Sequence, residues 1–597
     1  MFTALAGLFC CELIINFYNW GARDWDQFIF WNAVPRETIL TYRQFPFWNP
    51  YANGGNVFLA HPHSSFLSPL FIFVLIFGPV AGLKMQVIAH LIIGMWGMFL
   101  LLRYKKVDEI SAYVASFAYM LSSVYFLHIA EGHMEWLPMA FFPWLFLCYL
   151  KSFLQKKHIV TAIILLALIL LAGTVNVFCI VLFILLIYSV CSAIQKSSLI
   201  PVKNIFFIFV GTFLLCSVKL FPMLEFLHKY PRLTAETDGI GLGVLYRALL
   251  SQRQAIFDSL TLTQGEGVLG LKYRWHEYGA YIGITPLLLS LSGIIFSFRK
   301  KWPLILTAIC SLLVAMGSGS PINLWKILHY LPVYNSLHVP SRFMLGFIFC
   351  ISILAGLGMF HCWKLFEKSS FIKSTFLKKI VFMAVALFIL FDLYSVNAVI
   401  LQNSFWIRPK KIKNYKTFAQ RYRYMDTNNK YFHSNLYPVF LSNSGVINGY
   451  EVMQINKGDL ATASSPAYKG EAYLANGAGS ASIAEFSPNK IVVDVYAKHK
   501  DTLVLNQNYY TGWRVQASRR SAAQNFKGLI ACPVGAGNQQ IVFYYLPLSF
   551  LAGIFVSLIT LMVLIGILFY KNLGRTMHGL FSRMLGIRKK PALKITS

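Results

Sequence analysis

Long apolar runs, separated by short polar or basic segments, fill most of the chain. The runs at 161–190, 205–223, 343–359, 380–390 and 546–569 dominate. Several reach the ~18–20 residues a helix needs to cross a hydrocarbon core. The pattern predicts twelve spanning helices, at about 2–20, 85–103, 110–129, 135–153, 159–173, 175–194, 203–222, 281–298, 302–317, 341–363, 379–399 and 548–570. A further apolar stretch, 66–82, carries Pro69, Gly78 and Pro79 and reads as a re-entrant or interfacial segment; as a separate span it would be the thirteenth. Toward the C-terminus the period changes from helical to alternating. Residues 490–496, 502–505 and 540–545 read as strands, separated by turn residues such as Ser487-Pro488-Asn489, Thr511-Gly512 and Gly535-Ala536-Gly537. The expected fold class is a polytopic α-helical membrane protein with a C-terminal extracytoplasmic β-rich domain.

Composition agrees with this. Of 597 residues, 57% are hydrophobic and only 13% charged, against about 25% charged in soluble chains. The formal net charge of +30 does not point to nucleic acid, because Lys and Arg cluster in short loops between apolar runs, the pattern of cytoplasmic loops. With twelve spans and a cytoplasmic N-terminus, the basic loops at 103–106, 151–158, 195–203, 299–301 and 364–379 and the tail from 571 all fall inside. Asp24, Asp26, Glu37, Glu131, Glu135, Glu225, Glu236, Asp238, Glu266 and Glu277 fall outside or at outer span ends. Chemistry needs ionisable groups, so the outer face is where it is expected. The organisation expected is a membrane module over 1–400 with outer loops at 21–65 and 223–280, an extracytoplasmic domain over 401–547, a last span over 548–570 and a basic cytoplasmic tail over 571–597. Of ten cysteines only Cys532 lies in the large polar region, and there is no CxxC pair, so neither a disulfide within that region nor a cysteine zinc site is expected.

The first outer loop begins Gly21-Ala22-Arg23-Asp24-Trp25-Asp26-Gln27. Two carboxylates at the membrane surface can take a proton from an acceptor group or hold a metal; spacing alone favours the plainer reading, a solvated helix cap with Asp24 paired to Arg23. His61-Pro62-His63 follows, either a metal-ligand pair or a hydrogen-bonded loop.

The ordered set Asp24-Trp25-Asp26-Gln27, Gln44-Phe45-Pro46-Phe47-Trp48-Asn49-Pro50, Gly54-Gly55, Ser68-Pro69, the 128–136 segment around Gly132-His133, Glu277-Tyr278-Gly279, Pro340-Ser341-Arg342-Phe343 and Asn508-Tyr509-Tyr510-Thr511-Gly512-Trp513-Arg514 resembles the YfhO-like bacterial membrane proteins of the broad GT-C glycosyltransferase superfamily. The resemblance covers nearly the whole chain. It implies a multi-pass protein of the bacterial cytoplasmic (inner) membrane with its active site on the extracytoplasmic side. The implied reaction moves a sugar from a polyprenyl-phosphate-linked donor to an envelope glycan, lipid or protein acceptor. It also implies that Asp24 or Asp26 is the catalytic or metal-binding acid. A site for such a donor needs positive charge for the leaving phosphate. Arg342, where a surface loop re-enters the membrane, is the first candidate, with Arg232 second and Arg274 weaker. Glu131, His133 and Glu277, at outer span ends, are candidates for holding sugar hydroxyls. Trp136, Trp275 and Trp513 are candidates for stacking on sugar faces. A divalent metal is neither required nor ruled out. Two other classes remain open: a transporter or flippase of lipid-linked glycans, and a non-catalytic envelope assembly protein that presents the β-domain.

Overall fold

The computed structural model describes residues 1–584 except 235–236, 266, 369–373, 403, 424–434, 449–454, 456–457 and 518, with side chains described as far as residue 568. Glu236, Glu266 and the end of the basic tail lie outside the described residues. Among the described residues six helices are long and apolar enough to cross a membrane: Pro79–Tyr104, Glu109–Glu131, Val175–Lys196, Pro340–Lys368, Thr375–Leu401 and Leu548–Leu568. A seventh span is formed if Ile200–Leu215 and Ser217–Lys229, which meet at 82° across Cys216, are counted together.

The remaining expected spans take other forms. Residues 2–20 fold as two short helices, Phe2–Phe9 and Cys11–Ile15. The second stops where the Asn16 side chain donates to Glu12 O and competes with the helical pattern. Residues 135–153 begin as a tight 3-10 turn, Met134–Phe141, because Pro138 has no N–H to give, and become α-helical only over Phe142–Ser152. The apolar run at 159–173 is the 15-residue helix Lys157–Leu171. The expected spans 281–298 and 302–317 fall in the helical stretch Ile284–Met316, and both halves lie along Pro340–Lys368, with Gly293 against Leu354 and Ser311 beside Gly346. In 66–82 the helix Ile72–Phe77 has six residues, about 9 Å of rise. That is too short to cross a core of about 30 Å.

Helix direction sorts the charges. Arg103, Lys196, Lys364 and Lys368 end their helices, whereas Glu131 and Arg342 sit at the opposite ends of Glu109–Glu131 and Pro340–Lys368. Glu131 and Glu277 therefore lie at the end of the bundle where the first loop is held, while Asp108, Glu109 and Glu367 stand at the other end.

Those strands form two antiparallel sheets. One has the order Arg520–Ala522, Trp513–Gln516, Gly537–Tyr545, Lys490–Ala497, Gly479–Ser487; the other has the order Gln524–Phe526, Leu529–Val534, Asp501–Asn508, Ala472–Leu474. Alternation explains the core. Ile491, Val493, Val495 and Ala497 are buried, while Asp494 and Tyr496 are exposed. The register pairs Val493 with Ile541 and Ile483.

The strands also hold the first loop. Trp48 is fully buried; its backbone N–H donates to Asn489 Oδ1 (3.0 Å) and its indole N–H to Gln507 Oε1 (2.9 Å). Asn508 Nδ2 donates to Asn53 O (2.6 Å) and Gly55 O (3.2 Å). Backbone pairing of Ala22 N with Ser404 O and Trp20 N with Ile407 O ties the start of the loop to the chain leaving helix Thr375–Leu401.

A polar cavity and an adjoining apolar groove as the candidate active site

Helix Ser123–Glu131 stops at Gly132, whose φ is +103°. A side chain is excluded there, since a Cβ would lie 2.3 Å from Trp25 N. The close approach lets Asp24 N donate to Glu131 O (3.0 Å) and the Trp25 indole donate to Ile129 O (2.8 Å). The turn also swings His133 back, so that its Nε2 lies 3.0 Å from Asp24 Oδ2. Asp24 borders a cavity of about 500 Å³. Asp26, two residues further along the helix and so about 200° around it, turns away. It is 2% exposed, and its carboxylate accepts from Leu436 N (2.8 Å) and Tyr437 N (3.3 Å), capping the short helix Leu436–Leu441.

Acids and arginines interlock around the cavity. Arg23 does not pair with Asp24; it reaches Glu131 (3.1 Å) and Asp258 (2.8 Å). Arg274 approaches the other Glu131 oxygen at 2.6 Å. Arg342 grips Glu277 with two nitrogens, Nε at 2.8 Å and Nη2 at 2.5 Å, the fork geometry that suits guanidinium and carboxylate. His276 lies between, with Nδ1 3.4 Å from Glu131 and Nε2 3.7 Å from Glu277. Burial alone would push the Glu277 carboxyl up, but the Arg342 guanidinium holds it well below the usual range. Burial pulls His276 down, and the carboxylates of Glu131 and Glu277 override this and carry it up to about 10. Burial raises Glu135 above the ordinary carboxyl value. His133 is raised against burial by Glu135 and Asp24.

Metal-ligand atoms of His133, His276 and Glu277 lie within 4.8 Å of one another, as do those of Glu131, Asp258 and His276. These nitrogen and oxygen donors suit a borderline divalent ion. Because Glu131 and Glu277 are already paired with arginines, such an ion would compete with Arg23, Arg274 and Arg342 for them.

One wall of the cavity passes into an apolar groove of about 570 Å³. His63, Asn176, Arg232 and His338 border both spaces. The groove runs beside the 82° bend, between Phe209 and Phe213 before it and Leu220 and Leu227 after it, against Leu170, Phe178 and Leu182. His63 is placed by stacking on Trp31 (5.2 Å, 10°) and by Lys219, whose ammonium donates to Pro62 O (3.1 Å) and Ser64 O (2.6 Å). Burial, and then the electrostatic effect of His61 and of the Arg232 guanidinium, hold the His63 imidazole well below its usual pKa, so it is neutral. His338 is likewise pushed down to about 3 by burial and by Arg342 and Arg232, and its Nδ1 faces Arg232 Nη2 at 3.3 Å.

Asp24, Glu131, His133, Glu277, Arg232 and Arg342 thus border one cavity, and Asp26 does not. The three tryptophans expected at sugar faces are elsewhere. Trp136 is buried against His128 (3.9 Å), Trp275 donates to Gln254 Oε1 (2.7 Å), and Trp513 packs on Trp48 (5.4 Å). Sequence reasoning missed His276, Asp258 and His338. His276 had a signal, lying inside the ionisable run Lys272-Tyr273-Arg274-Trp275-His276-Glu277; Asp258 and His338 had none.

Comparison with family models finds no match, and comparison with curated proteins finds none either. Among solved structures, the mycobacterial arabinofuranosyltransferase AftD is similar at 12% identity and a TM-score of 0.37, over 67% of this chain and 27% of that one. The oligosaccharyltransferase AglB of Archaeoglobus fulgidus is similar at 12% identity and a TM-score of 0.36, over 74% of this chain and 63% of that one. The chain therefore spans about a quarter of the first protein and under two thirds of the second.

Proposed function

We propose that the chain is a membrane glycosyltransferase of the GT-C type. In this reading it takes a sugar from a polyprenyl-phosphate-linked donor and passes it to an envelope glycan, lipid or protein acceptor. The reaction takes place on the extracytoplasmic face of a bacterial cytoplasmic membrane. The observation that carries the reading is the junction of a polar cavity holding an accessible acid with an apolar groove, with Arg232, His63 and His338 where the two meet. A lipid-borne phosphate ester has this same division, a hydrocarbon chain on one side of a charged headgroup and a polar sugar on the other.

The chemistry follows from that placement. The prenyl chain lies in the groove, its phosphate at the junction and its sugar in the cavity. Asp24 takes the proton from the acceptor nucleophile. The nucleophile bonds to the anomeric carbon from the face opposite the phosphate, and the carbon–oxygen bond to phosphate breaks with its electron pair on the leaving oxygen. Arg232 and Arg342 meet the charge that grows there. Glu277 keeps the Arg342 fork aimed, and Glu131 anchors Arg23 and Arg274, so these carboxylates act as scaffolding for the cations.

The test uses the purified protein in nanodiscs, with a radiolabelled polyprenyl-phosphate-sugar fraction and an envelope extract as acceptor. The expected result is transfer of label by the wild type and a loss of ~100-fold or more in Asp24→Asn. In sealed vesicles carrying the same protein, label that crosses the bilayer without covalent transfer would establish the transporter reading in its place.

A further inference from the structure

Asp24 does not stand alone: behind it runs a chain of two imidazoles. His133 Nε2 lies 3.0 Å from Asp24 Oδ2, and His133 Nδ1 lies 3.2 Å from His128 Nδ1. Helical continuation would place residues 128 and 133 about 140° apart around the axis. The left-handed turn at Gly132 folds them together instead, with His133 N donating to His128 O at 2.9 Å and the two rings 5.5 Å apart at 25°. His128 cannot rotate freely, because the buried Trp136 ring lies flat on it at 3.9 Å and 9°.

We infer that His133 is a positioning residue for Asp24, and that His128 fixes the ring orientation in which His133 does so. This rests on the reading of Asp24 as the base. An ionised Asp24 has no proton to offer, so the proton in the 3.0 Å contact belongs to His133 Nε2. The second ring nitrogen, Nδ1, is engaged by His128 Nδ1 at 3.2 Å, which fixes the plane of the ring. The arrangement turns Asp24 Oδ2 toward His133 and leaves Oδ1 for the acceptor. It follows the logic in which a catalytic base is aimed by a second group and that group by a third. When Asp24 takes the acceptor proton on Oδ1, the bond to Oδ2 stays in place and no proton need leave the chain during the step.

Two isosteric replacements separate the links. Gln at 133 places an amide N–H near the position of Nε2 and keeps the bond to Asp24. Asn places its amide near Nδ1 and keeps only the bond to His128. In the nanodisc assay His133→Gln should stay within ~3-fold of wild-type kcat, while His133→Asn falls ~30–100-fold, with KM for the lipid donor unchanged in both. A parallel pair guards against misfolding at 133: His128→Asn, which can still hydrogen-bond to His133, should stay near wild type, and His128→Leu should lose ~10-fold in kcat. Equal kcat values for Gln and Asn at 133, or for Asn and Leu at 128, overturn the inference, whether the pair is active or inactive. Asp24→Asn, measured alongside, separates the two claims: if it retains transfer, the base assignment fails; if it is inactive while the isosteres behave alike, only the positioning role fails.

Discussion

A single glycine decides where the base of the site stands. Gly132→Ala adds a Cβ 2.3 Å from Trp25 N at a backbone conformation of φ +103°. The conformation alone is worth about 1–2 kcal/mol against a side chain, and the contact pushes Asp24 away from His133. The expected outcome is a lower unfolding temperature in detergent together with a kcat loss larger than the stability loss explains. Glu277→Gln removes one partner of a buried pair and leaves the Arg342 guanidinium uncompensated, which costs about 3–5 kcal/mol and should show in the same melt. His276 gives a pH signature. Its folded pKa is raised to about 10, above an unfolded value near 6.5. Its contribution is therefore whole below that lower value, declines as pH rises, and is gone beyond about 10. Thermal melts from pH 6 to 10 should show an alkaline loss that His276→Gln flattens. Which acid faces the cavity was not legible in the sequence. Asp24 and Asp26 have the same chemistry two positions apart, and the difference lies in what each meets: Asp26 finds the free N–H groups of Leu436 and Tyr437, over 400 residues away. The local expectation that Arg23 pairs with Asp24 failed for the same reason, since Glu131 and Asp258 come from distant segments.

At the scale of elements, what could be read was what periodicity carries. The helices Pro79–Tyr104, Val175–Lys196, Pro340–Lys368 and Thr375–Leu401 lie where apolar runs placed them, and Lys490–Ala497, Asp501–Asn508 and Gly537–Tyr545 lie where alternation placed strands. Breaks were harder to read, because a helix bent by 82° at Cys216 and a straight one have the same apolar content. The groove beside that bend was unreadable for this reason. Between elements, Glu471 joins four segments. It accepts from Gln420 N (2.8 Å), Tyr468 Oη (3.0 Å) and Asn506 Nδ2 (3.3 Å), while the Gln420 amide reaches Pro50 O of the first loop (3.1 Å). Burial raises its pKa to about 7. Here the folded state disfavours the charged form, so the penalty grows as pH rises from the unfolded value near 4.3 to about 7 and is constant above. Glu471→Gln should therefore stabilise by about 1–3 kcal/mol at pH 8 and leave the pH 4 melt unchanged.

Across the whole molecule, the bundle, the first loop and the paired sheets act together. Trp48→Ala should cost about 3–5 kcal/mol and expose the loop to limited proteolysis together with the sheets that grip it. The indole it removes bonds to Gln507, 459 positions later in the chain. A contact of that separation has a consequence for how the protein is made. Synthesis runs from the N-terminus, so the segment bearing Trp48 leaves the ribosome long before the strands that seat it exist. A nascent chain carrying every helix up to Leu401 would hold Asp24 against Glu131 and His133 and still leave the far half of its loop, from Trp48 to Gly55, ungripped. That half would close in one late step, once translation has passed residue 508.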